Sequence, residues 1–223
     1  MNIDLRALQM QQNLKRVQGT QLFRPDCLLP LATQVDRLEQ ALQIAYASEV
    51  LSRGRQLVPD QATRANLHKV AEWLTNPLAK PWLLIYGGVG NGKTTLLRAI
   101  QAFVNSQRFY IGNTRVQMLV QTASRLSALA VESPRLFESR TDQECIGIDD
   151  LGVEPLEVNS FGTRSTPIAE LLLHRYERMR FTILTSNLSE EQLTSRYGER
   201  ITDRLREVCD RLWMDGASYR GTV

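Results

Sequence analysis

One stretch, Pro81–Ala99 (PWLLIYGGVGNGKTTLLRA), constrains the fold more than any other. The apolar run Trp82–Tyr86, bounded by a proline and a glycine pair, predicts a fully buried strand. Gly87 and Gly88 then open a loop. Gly87, four spacers, Gly92, Lys93 and Thr94 have the spacing of a phosphate-binding loop. A helical run follows from Thr95 to Ile100. Phosphate oxygens must approach bare backbone, and glycines at 87, 88, 90 and 92 lack Cβ and permit positive φ. Successive N–H groups can then point inward as an anion nest, and the helix N-terminus adds its own free donors and dipole. On this reading Gly87, Gly88, Val89, Gly90, Asn91, Gly92, Lys93, Thr94 and Thr95 hold the nucleotide. Lys93 brings a mobile charge to the β- and γ-phosphates, and the Thr94 hydroxyl is placed for magnesium. The motif specifies phosphate binding, not kinase, GTPase or motor.

The chain has 223 residues, 43% hydrophobic and 23% charged, which suits one α/β core with an appendage. A net charge of +3 is too mild to indicate nucleic-acid binding by itself. No apolar run approaches the ~18 residues of a membrane span, and the start, MNIDLRALQMQQNLKR, lacks a signal-peptide apolar region. Cys27, Cys145 and Cys209 form no CxxC pair, which excludes a four-cysteine zinc site and fits reduced thiols. The expectation is a cytoplasmic protein with no membrane partner.

Ile3, Ala7, Met10, Leu14 and Val17 form an apolar stripe on a predicted N-terminal helix, which either packs on the core or binds a partner. Thr33 can cap a helix reaching about Arg53, and Asp60 another that is stopped by Asn76-Pro77. Residues 1–58 are thus expected to be a helical N-terminal segment, with the nucleotide-binding domain at 59–223. Within that domain Val116–Thr122, Glu144–Asp150, Phe181–Asn187 and Arg211–Asp215 read as further strands. Helices are expected at Ala123–Val131, after Thr166-Pro167, and at Glu199–Val208, with Ser189 and Gln192 forming a capping box. Strands alternating with helices imply a five-stranded parallel sheet covered on both faces, with ligands at the carboxyl ends of the strands.

The strand ECIGIDD ends in two carboxylates, costly at a buried end unless a cation compensates them. Magnesium with ATP would do so, with Asp149 as the metal ligand and Asp150 orienting or deprotonating the attacking water. The alternative is a capped turn. FTILTSN ends in Thr185, Ser186 and Asn187, neutral groups able to hold a water or touch the γ-phosphate. Arg204 falls on the flank of the buried face of its helix, where it either pairs with Glu207 or reaches a neighbouring surface. Arg220 follows the last strand. His68 and His174 have no ligand partners at useful spacing.

Taken together, GGVGNGKTT, CIGIDDLG, TILTSNLS, YGERITDRLRE and SYRG resemble the AAA+ ATPases of the bacterial helicase-loader family, over roughly residues 65–221. That family includes helper ATPases of insertion-sequence transposition. The resemblance implies an AAA+ core that binds and hydrolyses ATP across subunit interfaces, self-associates, contacts single-stranded DNA and serves a replicative helicase or a transposase. It makes Lys93 and Thr94 the Walker A residues and Asp149 with Asp150 Walker B. Asn187 is then the first sensor, Arg204 the arginine finger and Arg220 the second-sensor arginine. Three features depart from the pattern: Asp150 stands where Glu is usual, no separate C-terminal lid is expected, and residues 1–60 match no partner-binding domain. Competing readings are a nucleotide-gated adapter with little hydrolysis and a small P-loop kinase.

Overall fold

Alternation along Trp82–Gly87 (β1) shows how the core is built: Leu83 and Ile85 enter one apolar cluster, Trp82 and Leu84 the other. Successive strand side chains point to opposite faces, so a strand buried on both faces must lie inside a covered sheet. The computed structural model describes residues 35–57, 60–76, 78–106, 110–111, 114–160 and 163–215. The Ile3–Val17 stripe, Cys27, Thr33 and Arg220 lie outside them.

Before β1 come α1 (Val35–Ser52) and α2 (Gln61–Thr75), the latter capped by Asp60, whose carboxylate accepts from the Thr63 N–H at 2.6 Å. After β1 come α3 (Lys93–Ser106), a short antiparallel hairpin of β2 (Tyr110–Ile111) and β3 (Thr114–Arg115), and β4 (Met118–Thr122). Helices α4 (Ala123–Glu132) and α5 (Pro134–Thr141) lead to β5 (Cys145–Leu151). A second hairpin, β6 (Val158–Ser160) and β7 (Thr163–Ser165), precedes α6 (Pro167–Glu177) and β8 (Phe181–Ser186). Helices α7 (Glu190–Tyr197) and α8 (Glu199–Val208) run directly into β9 (Cys209–Met214).

The main sheet has five strands in the order β4-β5-β8-β1-β9, and every pairing is parallel. Leu38 and Leu42 of α1, Leu67 and Trp73 of α2, and Leu97 and Ile100 of α3 cover one face. Leu126 of α4, Leu171 of α6, Leu193 of α7 and Leu205 of α8 cover the other. Helix α1 therefore shares the hydrophobic cluster of the phosphate-loop helix.

Several boundaries shift from the sequence expectation. The last strand begins at Cys209, because α8 ends at Val208 with no intervening loop, and the strand expected from Val116 begins at Met118. Helix α5 and both hairpins went unforeseen: each is short, with no long apolar period to announce it. Met179, just past the end of α6, takes φ of 49°.

Candidate functional site

The strand order places three polar strand ends side by side. β8 lies between β5 and β1, so its tip stands between the glycine loop and the acid pair. Gly87, Gly90 and Gly92 take φ of 147°, 86° and 91°, as a loop of inward N–H groups requires. Gly88 does not. It has no positive φ, and a Cβ there would meet open space. At Gly87 the restriction is steric as well, since a Cβ would come within 2.2 Å of the Met214 carbonyl oxygen and 2.7 Å of Asn91 Nδ2.

Lys93 is buried, and its Nζ donates to the carbonyls of Gly87 and Gly88 at 2.8 and 2.6 Å and to Asn91 Oδ1 at 3.2 Å. All three acceptors are neutral oxygens of the loop, and a flexible ammonium can exchange such partners for phosphate. Asn91, expected among the nucleotide contacts, turns its side chain inward, and Nδ2 donates to the Met214 carbonyl at 2.5 Å. Its amide thus ties the loop to the end of β9, which leaves its backbone as the part that can face a phosphate. Val89 is exposed, and Thr95 lies half-buried in the first turn of α3.

The Thr94 hydroxyl donates to Asp149 Oδ1 at 3.1 Å, and the Thr185 hydroxyl donates to the same oxygen at 2.6 Å. Asp149 is 3% exposed, and among the described residues it forms no ion pair. A buried carboxylate held by hydroxyls alone is the chemistry of a divalent-cation ligand. Asp150 follows with φ of 55°, in the left-handed region. The β5–β8 register shifts between Ile148 and Leu151 to accommodate it. Its N–H donates to Thr185 Oγ1 at 2.9 Å. Thr185 therefore links both acids to the neighbouring strand, a role its place in FTILTSN only hinted at. The Asp149 carboxylate accepts from the Thr94 and Thr185 hydroxyls, of α3 and β8. Asn187 is exposed immediately after Ser186, whose Cα neighbours are Tyr86 on one side and Leu151 on the other.

Arg204 is not brought to this group. Its guanidinium carbon lies 4.8 Å from the Tyr176 ring centroid, and its side chain is 38% exposed. Glu207 is at the 4.0 Å limit of an ion pair and instead accepts from the Tyr176 hydroxyl at 2.7 Å. That bond, first, and then burial hold the Tyr176 phenol above its usual pKa. Tyr176 precedes β8 and Arg204 precedes β9, so both stand toward the end where strands begin, opposite the phosphate loop.

Sequence reasoning missed Glu154, whose side chain is wholly buried beyond the acid pair. It also missed Arg175, fully buried among neutral acceptors. Arg175 donates to Thr182 Oγ1 at 2.9 Å and to the carbonyls of Thr141, Gln143 and Phe181 at 2.8 Å each. Burial pulls its pKa down to about 9, so it remains charged at neutral pH. An Arg on an otherwise apolar helix face, two residues before a turn, was the available signal for this one. His68 faces Glu39 at 2.7 Å and Glu72 at 3.5 Å and bridges α1 to α2 rather than standing alone. Cys145 and Cys209 are buried free thiols. Desolvation pushes Cys145 up to about 12 and raises Cys209 as well, so neither is a nucleophile at neutral pH.

A parallel sheet with this order, covered by helices on both faces and carrying a glycine loop after β1, is the P-loop ATPase fold of AAA+ type. Solved structures share it, among them that of the DnaC helicase loader. The DnaC helicase loader superposes with a TM-score of 0.55 at 21% identity, over 76% of this chain and 98% of that one. DnaI superposes with a TM-score of 0.52 at 22% identity, over 74% and 87%. The replication initiator DnaA bound to AMPPCP and single-stranded DNA matches with a TM-score of 0.53 at 18% identity, and the chain spans about half of it. No protein-family model and no curated protein matches the chain. Among the described residues no helix is long and apolar enough to cross a membrane.

Proposed function

We propose that this chain is an ATP-binding and ATP-hydrolysing replication factor of the helicase-loader kind. The observation that carries the reading is the convergence of Thr94 and Thr185 on Asp149, a buried acid that forms no ion pair among the described residues, beside a glycine loop of the right geometry. A divalent cation with a nucleoside triphosphate supplies the missing positive charge and the anion the loop is shaped for. Thr94 and Asp149 would hold magnesium, which would neutralise charge on the phosphates. Lys93 would exchange loop carbonyls for phosphate oxygens. Asp150 would orient the attacking water or accept its proton, and Asn187 would hold that water from the neighbouring strand tip.

Arg204 faces away from its own loop, which favours action on a neighbouring subunit's nucleotide and self-association through the ATP sites. Arg220 would add a second arginine contact to the phosphates. The likeness to the DnaC helicase loader supports a replicative helicase as partner. The DnaA complex supports single-stranded DNA as a further ligand. A transposase is the alternative partner, and the N-terminal residues 1–58 are the segment proposed for partner contact, through surfaces other than the apolar face of α1 that packs on the core. A cytoplasmic location follows from this role.

The test is equilibrium titration with ATP, followed by phosphate release with and without single-stranded DNA. Magnesium-dependent binding and DNA-stimulated release are expected, with Asp150→Asn binding ATP yet releasing phosphate slowly and Asp149→Asn losing the magnesium dependence. Binding without release in the parent chain would make it a nucleotide-gated adapter. Phosphate passed to a small acceptor would make it a kinase.

A further inference from the structure

The turn that carries Asp150 is held from two sides, and the second holder lies outside the strand ends described above. From β8, Thr185 takes the Asp150 N–H, and the Ser186 hydroxyl donates to the Leu151 carbonyl at 2.7 Å. Within the turn itself, the Glu154 carboxylate accepts the Gly152 N–H at 2.9 Å. The same carboxylate accepts the Tyr197 hydroxyl and lies 3.6 Å from the Arg196 guanidinium, and Arg196 also donates to the Glu154 carbonyl. Among the described residues the buried Arg196 Nε has no hydrogen-bond partner, so Glu154 is the main acceptor holding the guanidinium there.

The backbone of the turn is unusual at two positions. Gly152 has φ of 103°, and a Cβ on it would meet Leu188 Cδ1 at 2.4 Å. Two residues earlier, Asp150 holds a left-handed conformation, which Asp tolerates better than most non-glycine residues but still adopts uncommonly. A carboxylate with a fully buried side chain is also an expensive way to join a turn to a helix. An apolar contact would serve packing as well, so the expense points to orientation of the segment it grips.

We infer that Glu154 is a positioning residue for Asp150, locking the Asp150–Glu154 turn to the end of α7 so that the acid is presented to the phosphate loop. The inference rests on the hydrolase reading above. It adds that the geometry of the catalytic acid is set by a buried carboxylate gripped by Arg196 and Tyr197. Gly198 alone separates that grip from α8, the helix of Arg204.

The experiment uses the full chain, measuring ATP affinity, turnover and thermal midpoint for Glu154→Gln, Asp150→Asn and the double variant. Tyr197→Phe is a milder companion that removes one hydroxyl. Glu154→Gln keeps one acceptor for Gly152 but loses the charge facing Arg196. It should bind ATP as the parent does and lose about ten- to a hundredfold in turnover, the scale of a slightly misplaced catalytic group. Tyr197→Phe should fall in the same direction by less. In the Asp150→Asn background the Glu154 change should have no further effect on turnover, because residues acting as one unit are not additive. Parental turnover in Glu154→Gln and Tyr197→Phe, or an equal further loss in the double variant, would overturn the positioning role. A parent chain without turnover, or an Asp150→Asn variant as fast as the parent, would instead overturn the hydrolase reading and the positioning role with it.

Discussion

The two ends of the sheet both bury positive charge, in opposite ways. At the end where strands finish, Lys93 donates to neutral loop oxygens that a phosphate can replace, and Asp149 waits beside it with hydroxyl partners. At the end where strands begin, Arg175 is surrounded by the carbonyls of the α5–β5 connection and of β8, a rigid fork matched to fixed acceptors. Arg180 and Arg178 add ion pairs with Asp142 at 2.6 and 2.8 Å on the adjoining surface. A lysine on a flexible stem suits exchange, and a planar guanidinium with several donors suits permanence. One end holds its cation with a flexible stem on loop oxygens, the other with a planar fork on fixed carbonyls.

The largest effect tests whether the permanent end is also inert toward nucleotide. Arg204 sits there half-exposed over Tyr176. If it serves a neighbouring subunit, Arg204→Ala should bind ATP normally but lose ~10³–10⁵ in turnover, the scale of trans arginines in P-loop enzymes. Mixing it with Lys93→Ala subunits should restore part of the activity at hybrid interfaces. Parental phosphate release by Arg204→Ala alone would confine nucleotide chemistry to the opposite end and make Arg200 the next candidate.

Arg175→Met sharpens the comparison from the stability side. It strands several buried carbonyls and should lower unfolding free energy by about 3–5 kcal/mol, read by denaturant titration. ATP affinity of the remaining folded fraction should be unchanged. An affinity loss beyond the loss of folded protein would mean the two ends are coupled.

Lys93→Ala is the converse. It should weaken ATP binding about a hundredfold, since hydrogen bonds to charged groups contribute ~1.5–3 kcal/mol each, while the thermal midpoint stays close to that of the parent. A chain that unfolds instead would show that the loop needs its own lysine as a permanent strut, and the contrast with Arg175 would disappear.

The smallest effect concerns His68, which joins α2 to α1. Its hydrogen bond to Glu39, and then the charge of Glu72, raise its pKa above 6.5 in the folded chain. A raised folded value means the added stability is fully present below about pH 6.5, the ordinary histidine value, and is lost as pH rises through the folded pKa. The thermal midpoint of the parent should therefore fall slightly more than that of His68→Gln between pH 6 and 8. Identical slopes would show that the bridge contributes nothing.

Most of the exchanging end could be read from neighbouring residues. A P-loop is a local object: glycine spacing sets its φ values, and Lys93 and Thr94 follow on the first helical turn. The Ser189–Gln192 capping box, the Asp60 cap and the Pro167 helix start were legible for the same reason. The permanent end was nearly invisible. Arg175 reads as one more polar residue in an amphipathic helix, because its acceptors come from segments more than thirty positions earlier in the chain as well as from β8. Glu154 was equally opaque, since its partners follow 42 and 43 positions later.

By itself, then, the sequence determined the class of fold, the phosphate loop and the position of an acid pair at a strand end. Each depends on contacts within a few residues or on the period of a single element. Only the tertiary structure decided that Thr94 and Thr185 meet on one oxygen of Asp149, that Asn91 reaches Met214, and that Glu154 is gripped by α7. Those contacts depend on β8 lying between β5 and β1, an order of non-consecutive strands that no local pattern records. Burial supplies the rest: a carboxylate or guanidinium removed from water must find its partners wherever the chain brings them.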